Sequence, residues 1–397
     1  MISYPDSDAA LDRALRSGAA EPMEFQQTVR LERPWRTEPD SLELTASYRI
    51  FSEAGRRRVR MTLGDHELFL DDPVRLAPVH VGKPWGHELW LTGIEARGES
   101  RVVSATGELP LSQYLALAPR HLVNGASLVL LKILDPKPEP VSGDLYFETH
   151  DEKREVYVVS HVDPRAWPDG RGRIRFGMNQ ALRERYADDG RFRADYLAAV
   201  RAYERVRRAI DEGAGDDPTL ESQRRAAMEA FTELRELGVG DVVVVPTWLP
   251  HSLQHGVRVI EFQTPSYERY IISFAQRVVT QNHWDSETAV ANMRLDAPPP
   301  PRFERVAEGV ERIVSFDDFQ VWRVTLPPGA ELTLPAHCDY AVCIGVRGSV
   351  RVGPLSLGPE QAALVPTLAL RQPQRGGARL HNATDVSAIA LVAAPAL

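Results

Sequence analysis

Cysteine is nearly absent from the chain: Cys338 and Cys343 are the only two among 397 residues. Two thiols this few cannot build a disulfide framework, and they form no Cys-x-x-Cys pair for thiol–disulfide exchange. Long apolar runs are missing as well. No stretch approaches the ~18 apolar residues that a membrane-spanning helix requires. Residues 1–21 carry acidic groups and lack the apolar segment of a secretion signal. An excess of basic charge is also lacking: 47 Lys and Arg stand against 55 Asp and Glu, a net charge of −8. A dedicated nucleic-acid binder would show a basic stripe to pair with phosphates. These absences lead us to expect a cytoplasmic protein that binds no nucleic acid and no membrane. They leave the oligomeric state open.

What is present is an ordinary globular composition, 43% hydrophobic and 26% charged. At ~150 residues per domain the length predicts two to three domains. Residues 1–23 read as a weakly structured lead. Strand-like alternation follows, with residues 58–63 and 66–70 flanking Gly64-Asp65 as a hairpin. A short helix is expected over 111–117, then further strands at 127–134, 145–150 and 155–160. Residues 179–237 change texture. Tyr186, Tyr196, Val200, Tyr203, Val206 and Ile210 fall at helical spacing, a break comes at 213–218, and 219–237 resumes the helix. Strands return at 240–246, 258–263 and 270–274. A run of four prolines, Pro298 to Pro301, reads as a stiff linker. Beyond it lies a block of short strands separated by Pro and Gly turns. The expected fold is therefore mainly β: two barrel units, with a helical insertion at about 177–237 in the first. The expected domains are 24–290 and 302–397.

One stretch carries chemistry. Glu148 and His150 are two apart, so on a strand they face the same way. The polar turn Asp151, Glu152, Lys153, Arg154 then brings Glu155 back on the neighbouring strand. Further on, the apolar strand after Gly240 ends at Pro246, and a proline-marked turn presents His251. Two imidazoles and two carboxylates are ligands that a divalent first-row metal accepts, with a position left for water or substrate. His80, His87, His121, His161 and His283 have no paired spacing and receive no role.

These residues resemble the two motifs of the cupin superfamily. Glu148-x-His150, four residues and Glu155 match the first motif in spacing, with Glu148 where a histidine is usual. Gly240, five residues, Pro246-Thr-Trp248, two residues and His251 match the second, with Trp248 where a glycine is usual. A narrower resemblance is to type I phosphomannose isomerases, zinc-dependent aldose–ketose isomerases. It is carried by Lys83-Pro-Trp-Gly-His-Glu88-Leu-Trp90, Leu131-Lys132-Ile-Leu134, Lys153-Arg-Glu155-Val-Tyr157, Ile260-Glu261-Phe-Gln263 and Tyr267-Glu-Arg269-Tyr270. The chain departs from that family in having Glu148-Thr-His150-Asp for its Gln-x-His-Pro, and only four residues before Glu155.

The resemblance implies two cupin-type jelly-roll barrels, the second degenerate and metal-free. It implies a divalent metal, Zn2+ first, on Glu148, His150, Glu155 and His251. The substrate would be a sugar or sugar phosphate. Glu261 is the expected base, Arg269 the cation that stabilises an enediolate or holds phosphate, and Lys132 a phosphate-binding or carbonyl-polarising group. His255 is expected at the pocket mouth. Two other readings stay open: an iron or manganese cupin oxygenase, and a sugar-binding cupin without turnover.

Overall fold

The computed structural model describes residues 22–53, 56–118, 127–214, 217–279, 281, 283–335, 338–371 and 378–396. The expected lead at 1–23 lies almost wholly outside the described residues. The chain is mainly β and forms two compact units. One comprises residues 1–81, 89–132 and 302–397, the other 82–88 and 133–301. No helix among the described residues is long and apolar enough to cross a membrane.

In the first unit, Met23–Arg33, Asp40–Glu53, Arg56–Leu63 and His66–Phe69 form a four-stranded antiparallel sheet in chain order. Its strands alternate in burial: Leu44, Ala46, Tyr48 and Ile50 point inward while Glu43, Thr45 and Ser47 face out. The Gly64-Asp65 hairpin is present, with Gly64 at φ 55, a left-handed value that glycine adopts without a Cβ clash. The short helix Leu111–Leu117 also forms where expected. Val74–Ala77 pairs with Ala362–Pro366 and so joins the sheet of the C-terminal block. This grouping differs from the expected 24–290 and 302–397 division. The pairing joins residues nearly three hundred positions apart, and nothing local in the sequence encodes it. The break after residue 301 does fall at the end of the proline run.

The second unit holds a sandwich. On one side Glu155–Val162 lies between Val242–Val245 and Val257–Gln263. On the other, Thr232–Leu237, Gly172–Met178, His251–Leu253, Phe147–Thr149 and Tyr270–Ser273 pair in that order. Side chains of alternate residues meet between them: Tyr157, Val159, Val243, Val245, Val257 and Val259 pack with Ile174, Phe176, Leu253 and Ile271.

The insertion contributes helices Gln180–Arg183, Asp189–Asp211 and Pro218–Glu229. Asp188 and Asp217 cap the latter two by accepting from the backbone N–H groups of Arg191 and Leu220. Phe192, Tyr196, Val200 and Tyr203 form the buried face. The helix expected over 219–237 stops at Glu229, and Thr232–Leu237 is a strand paired with Gly172–Met178. Leu234 and Leu237 are three apart and mimic a helical repeat. The pairing with Gly172–Met178 overrides it, with Leu237 buried and Leu234 exposed.

Candidate metal centre

The apolar stripes of the sandwich end in ionisable groups. Along Glu155–Val162 the inward residues run Val159, Tyr157, Glu155; along Val257–Gln263 they run Val257, Val259, Glu261. Tyr157 stands opposite Glu261 in register, so the pair shares one face. On the facing sheet Leu253 is followed inward by His251, which stands opposite Glu148. Strand geometry thus gathers four strands, from two stretches about a hundred residues apart, at one end of the core.

Glu148, His150 and His251 each offer a ligand atom, and those atoms lie within 4.8 Å of one another. Both imidazoles are held the same way. His150 Nδ1 is 3.0 Å from the Glu268 carbonyl oxygen and His251 Nδ1 is 3.0 Å from that of Leu249. A carbonyl only accepts, so Nδ1 carries the proton and Nε2 faces the centre, the arrangement of metal-binding histidines. His150 Nε2 is buried without a hydrogen-bond partner, at 3.5 Å from Glu155 and 3.8 Å from Glu148. Glu148 Oε2 is likewise buried without a hydrogen bond, with Arg269 Nη1 at 3.6 Å. Buried polar atoms are rarely left unbonded. The unbonded His150 Nε2, with ligand atoms of Glu148 and His251 within 4.8 Å, fits a divalent cation.

The fourth expected ligand, Glu155, is placed differently. It is not part of the three-residue group. Its oxygens contact Lys153 Nζ at 2.5 Å, the Tyr157 hydroxyl at 2.6 Å and His251 Nε2 at 3.1 Å. Glu155 therefore bridges the histidine pair to a buried lysine. Burial would raise its carboxyl, but Lys153 and His150 overcome that and hold it well below the usual range. Burial also works against the charged Lys153, yet Glu155, Glu148 and Glu261 raise its ammonium above the ordinary value. Burial would raise Glu148, and Arg269, then His150 and Lys153, bring it below. His150 is lowered by burial and by Lys153. Burial would lower His251, but its hydrogen bond to Glu155 raises it instead. Of these groups, three carboxylates (Glu148, Glu155, Glu261) face two permanent cations (Lys153, Arg269).

The other expected residues fall as follows. Glu261 is buried beside this cluster. Arg269 sits with its guanidinium 4.3 Å from the Tyr146 ring centroid and close to Glu148. Lys132 is buried in the first unit, its ammonium 5.6 Å from the Trp90 ring centroid. His255 is a structural anchor: Nδ1 is 2.7 Å from Asp144 Oδ1 and its ring stacks on Trp167 at 4.6 Å. Sequence reasoning gave no role to Lys153, Tyr157 or Glu268. Lys153 and Tyr157 flank Glu155 at alternate positions, a signal that the polar look of the turn masked.

Three of the solved structures that share this fold are mannose 6-phosphate isomerases. Mannose 6-phosphate isomerase from Bacillus subtilis is 16% identical, with a TM-score of 0.56, covering 81% of this chain and 99% of its own. The apo form of the Salmonella typhimurium mannose 6-phosphate isomerase is 13% identical, with a TM-score of 0.58 over 82% of this chain and 100% of its own. A zinc-bound holo mannose 6-phosphate isomerase is 13% identical, with a TM-score of 0.59 and the same coverage. No family model and no curated protein matches the sequence. The chain thus has the fold of the mannose 6-phosphate isomerases at a sequence distance where fold is all that the likeness establishes.

Proposed function

We propose that this protein is a metal-dependent aldose–ketose isomerase acting on a sugar phosphate of the mannose 6-phosphate type. The observation that carries the reading is the Glu148, His150 and His251 group, with His150 Nε2 unbonded within it and Arg269 beside Glu148. The shared fold adds to it. In this reading the stretches 24–290 and 302–397 each carry a cupin-type jelly roll, the second degenerate. The enzyme works in the cytoplasm, and Zn2+ is the metal.

Glu148, His150 and His251 would hold the metal, with Glu155 at its side. The bound ion supplies a Lewis acid for the sugar oxygens. The chain's own residues do the rest. Moving the sugar carbonyl between C1 and C2 requires a proton to leave one carbon and arrive at the other through an enediol. Glu261, buried on the same face as Tyr157, is the carboxylate assigned to that shuttle. Arg269 supplies fixed positive charge for the enediolate, in a setting where water does not dilute it. Lys153 and Tyr157 hold Glu155 charged and fixed, which in turn orients His251. No step is assigned to Lys132.

A coupled assay for conversion of mannose 6-phosphate to fructose 6-phosphate, with and without added Zn2+, tests the proposal. Metal-dependent turnover supports it. Metal binding without turnover on any hexose phosphate would replace it with a sugar-binding protein that has lost catalysis.

A further inference from the structure

The turn between the two halves of the metal-binding stretch is only four residues long, Asp151 to Arg154. Three consecutive backbone N–H groups in it point one way and none can find a partner within so short a loop. Glu268, more than a hundred residues later in the chain, takes all three. Its carboxylate accepts from Asp151 N at 2.6 Å, Glu152 N at 3.0 Å and Lys153 N at 3.0 Å. The fourth N–H, of Arg154, donates to Thr264 Oγ1 at 3.1 Å, and Thr264 N donates back to the Arg154 carbonyl. The same Glu268 accepts through its own carbonyl from His150 Nδ1. One residue thus fixes the ring of His150 from behind and the backbone that carries Lys153 toward Glu155.

A second brace reaches the same turn. Trp248 has φ 61, a left-handed conformation that bulky residues rarely adopt. It is held there on every side. Its N–H donates to the His150 carbonyl at 2.6 Å, its carbonyl accepts from Arg294 N at 2.7 Å, and its indole N–H donates to Asp151 Oδ1 at 2.9 Å. Its ring stacks on Tyr270 at 5.0 Å. Trp248 also begins the three-residue lead into His251. The strained residue therefore ties the His251 segment directly to the His150 segment.

From these contacts we infer that Glu268, assisted by Trp248, is the positioning residue that sets the metal affinity of the centre. It holds His150 at a fixed distance from Glu148 and His251 through the turn. The inference rests on the proposed metal-binding reading. It adds that affinity resides in a residue that touches no metal. A carboxylate capping three N–H groups pre-organises the ligands, so binding costs no reordering of the turn.

The test is competition between the purified full chain and a chromophoric chelator for Zn2+. Glu268→Gln, which neutralises the cap on the three turn N–H groups and leaves the carbonyl that holds His150 Nδ1, should weaken Zn2+ binding about 10-fold. Trp248→Phe, which removes only the bond to Asp151, should weaken it about 3- to 10-fold. Asn382→Ala, in the other unit, serves as the control for general instability and should leave Zn2+ affinity unchanged while lowering the melting temperature. Wild-type affinity in Glu268→Gln would overturn the inference. Should Glu268→Gln fail to fold, wild-type affinity in Trp248→Phe would overturn it instead. A wild-type chain that takes up no Zn2+ overturns the metal-binding reading itself, a different result from either.

Discussion

Two β-rich regions of this chain bury their polar groups in opposite ways. In the C-terminal block the core is largely apolar, from Val310, Val324 and Leu326 to Val350, Val352, Leu380 and Val392. Its fully buried Asn382 has backbone and local partners for its whole amide. Nδ2 donates to the Leu326 and Val386 carbonyls, and Oδ1 accepts from the N–H and hydroxyl of Thr384. In the sandwich of residues 133–301, the buried polar groups sit at the ends of the apolar stripes and lean on one another. His150 Nε2 and Glu148 Oε2 are left with no hydrogen bond. The first pattern is how a side chain closes a turn. The second leaves a histidine nitrogen unbonded among metal-capable groups, a cost that folding alone does not recover and a ligand does.

The sharpest way to break this contrast is His251→Ala. It removes a ligand and the group that Glu155 contacts, and kcat/KM in the coupled isomerase assay should fall on the order of 10^3-fold or more. Arg269→Met should lower kcat about 10^2- to 10^3-fold with metal content unchanged, because it removes the charge assigned above to the enediolate and no proposed ligand. Equal metal loss in both variants would mean that Arg269 only holds Glu148 in place. In the other region, Asn382→Ala should cost roughly 2–4 kcal/mol by denaturant unfolding with no change in turnover of the folded enzyme. A catalytic defect there would erase the distinction between the two patterns.

A smaller effect concerns acid. The folded-state pKa of Glu155 lies well below its ordinary value, with burial opposing and Lys153 and His150 driving the shift. Its stabilising contribution is therefore complete above the ordinary carboxylate pKa, about 4.3. It is lost as pH falls through the folded value. Melting temperatures of the metal-free protein should drop more steeply below that pH in the wild type than in Glu155→Gln. Parallel slopes would show that Glu155 is not the charge that acid removes.

The sequence made the local part of this site legible and hid the rest. Glu148 and His150 mark the end of one strand, Phe147–Thr149 with His150 just beyond it, and Gly240, Pro246 and His251 mark another strand and its turn. Both patterns need only neighbouring residues. The helical faces at 111–117 and 189–211 were readable for the same reason. Glu268 was not, because its partners lie 115 to 118 residues away, with no period or motif connecting them. The pairing of Val74–Ala77 with Ala362–Pro366 was hidden likewise. Glu155 shows a third case: its position was readable, but its engagement by Lys153 and Tyr157 depends on rotamers and burial that spacing does not encode.

The most direct test of the account is elemental analysis of the protein purified without added chelator, alongside His251→Ala. The account predicts about one equivalent of divalent metal per chain in the wild type, zinc foremost, and its loss in the variant. A wild-type protein that carries no divalent metal, and takes up none when Zn2+ is supplied, would contradict it.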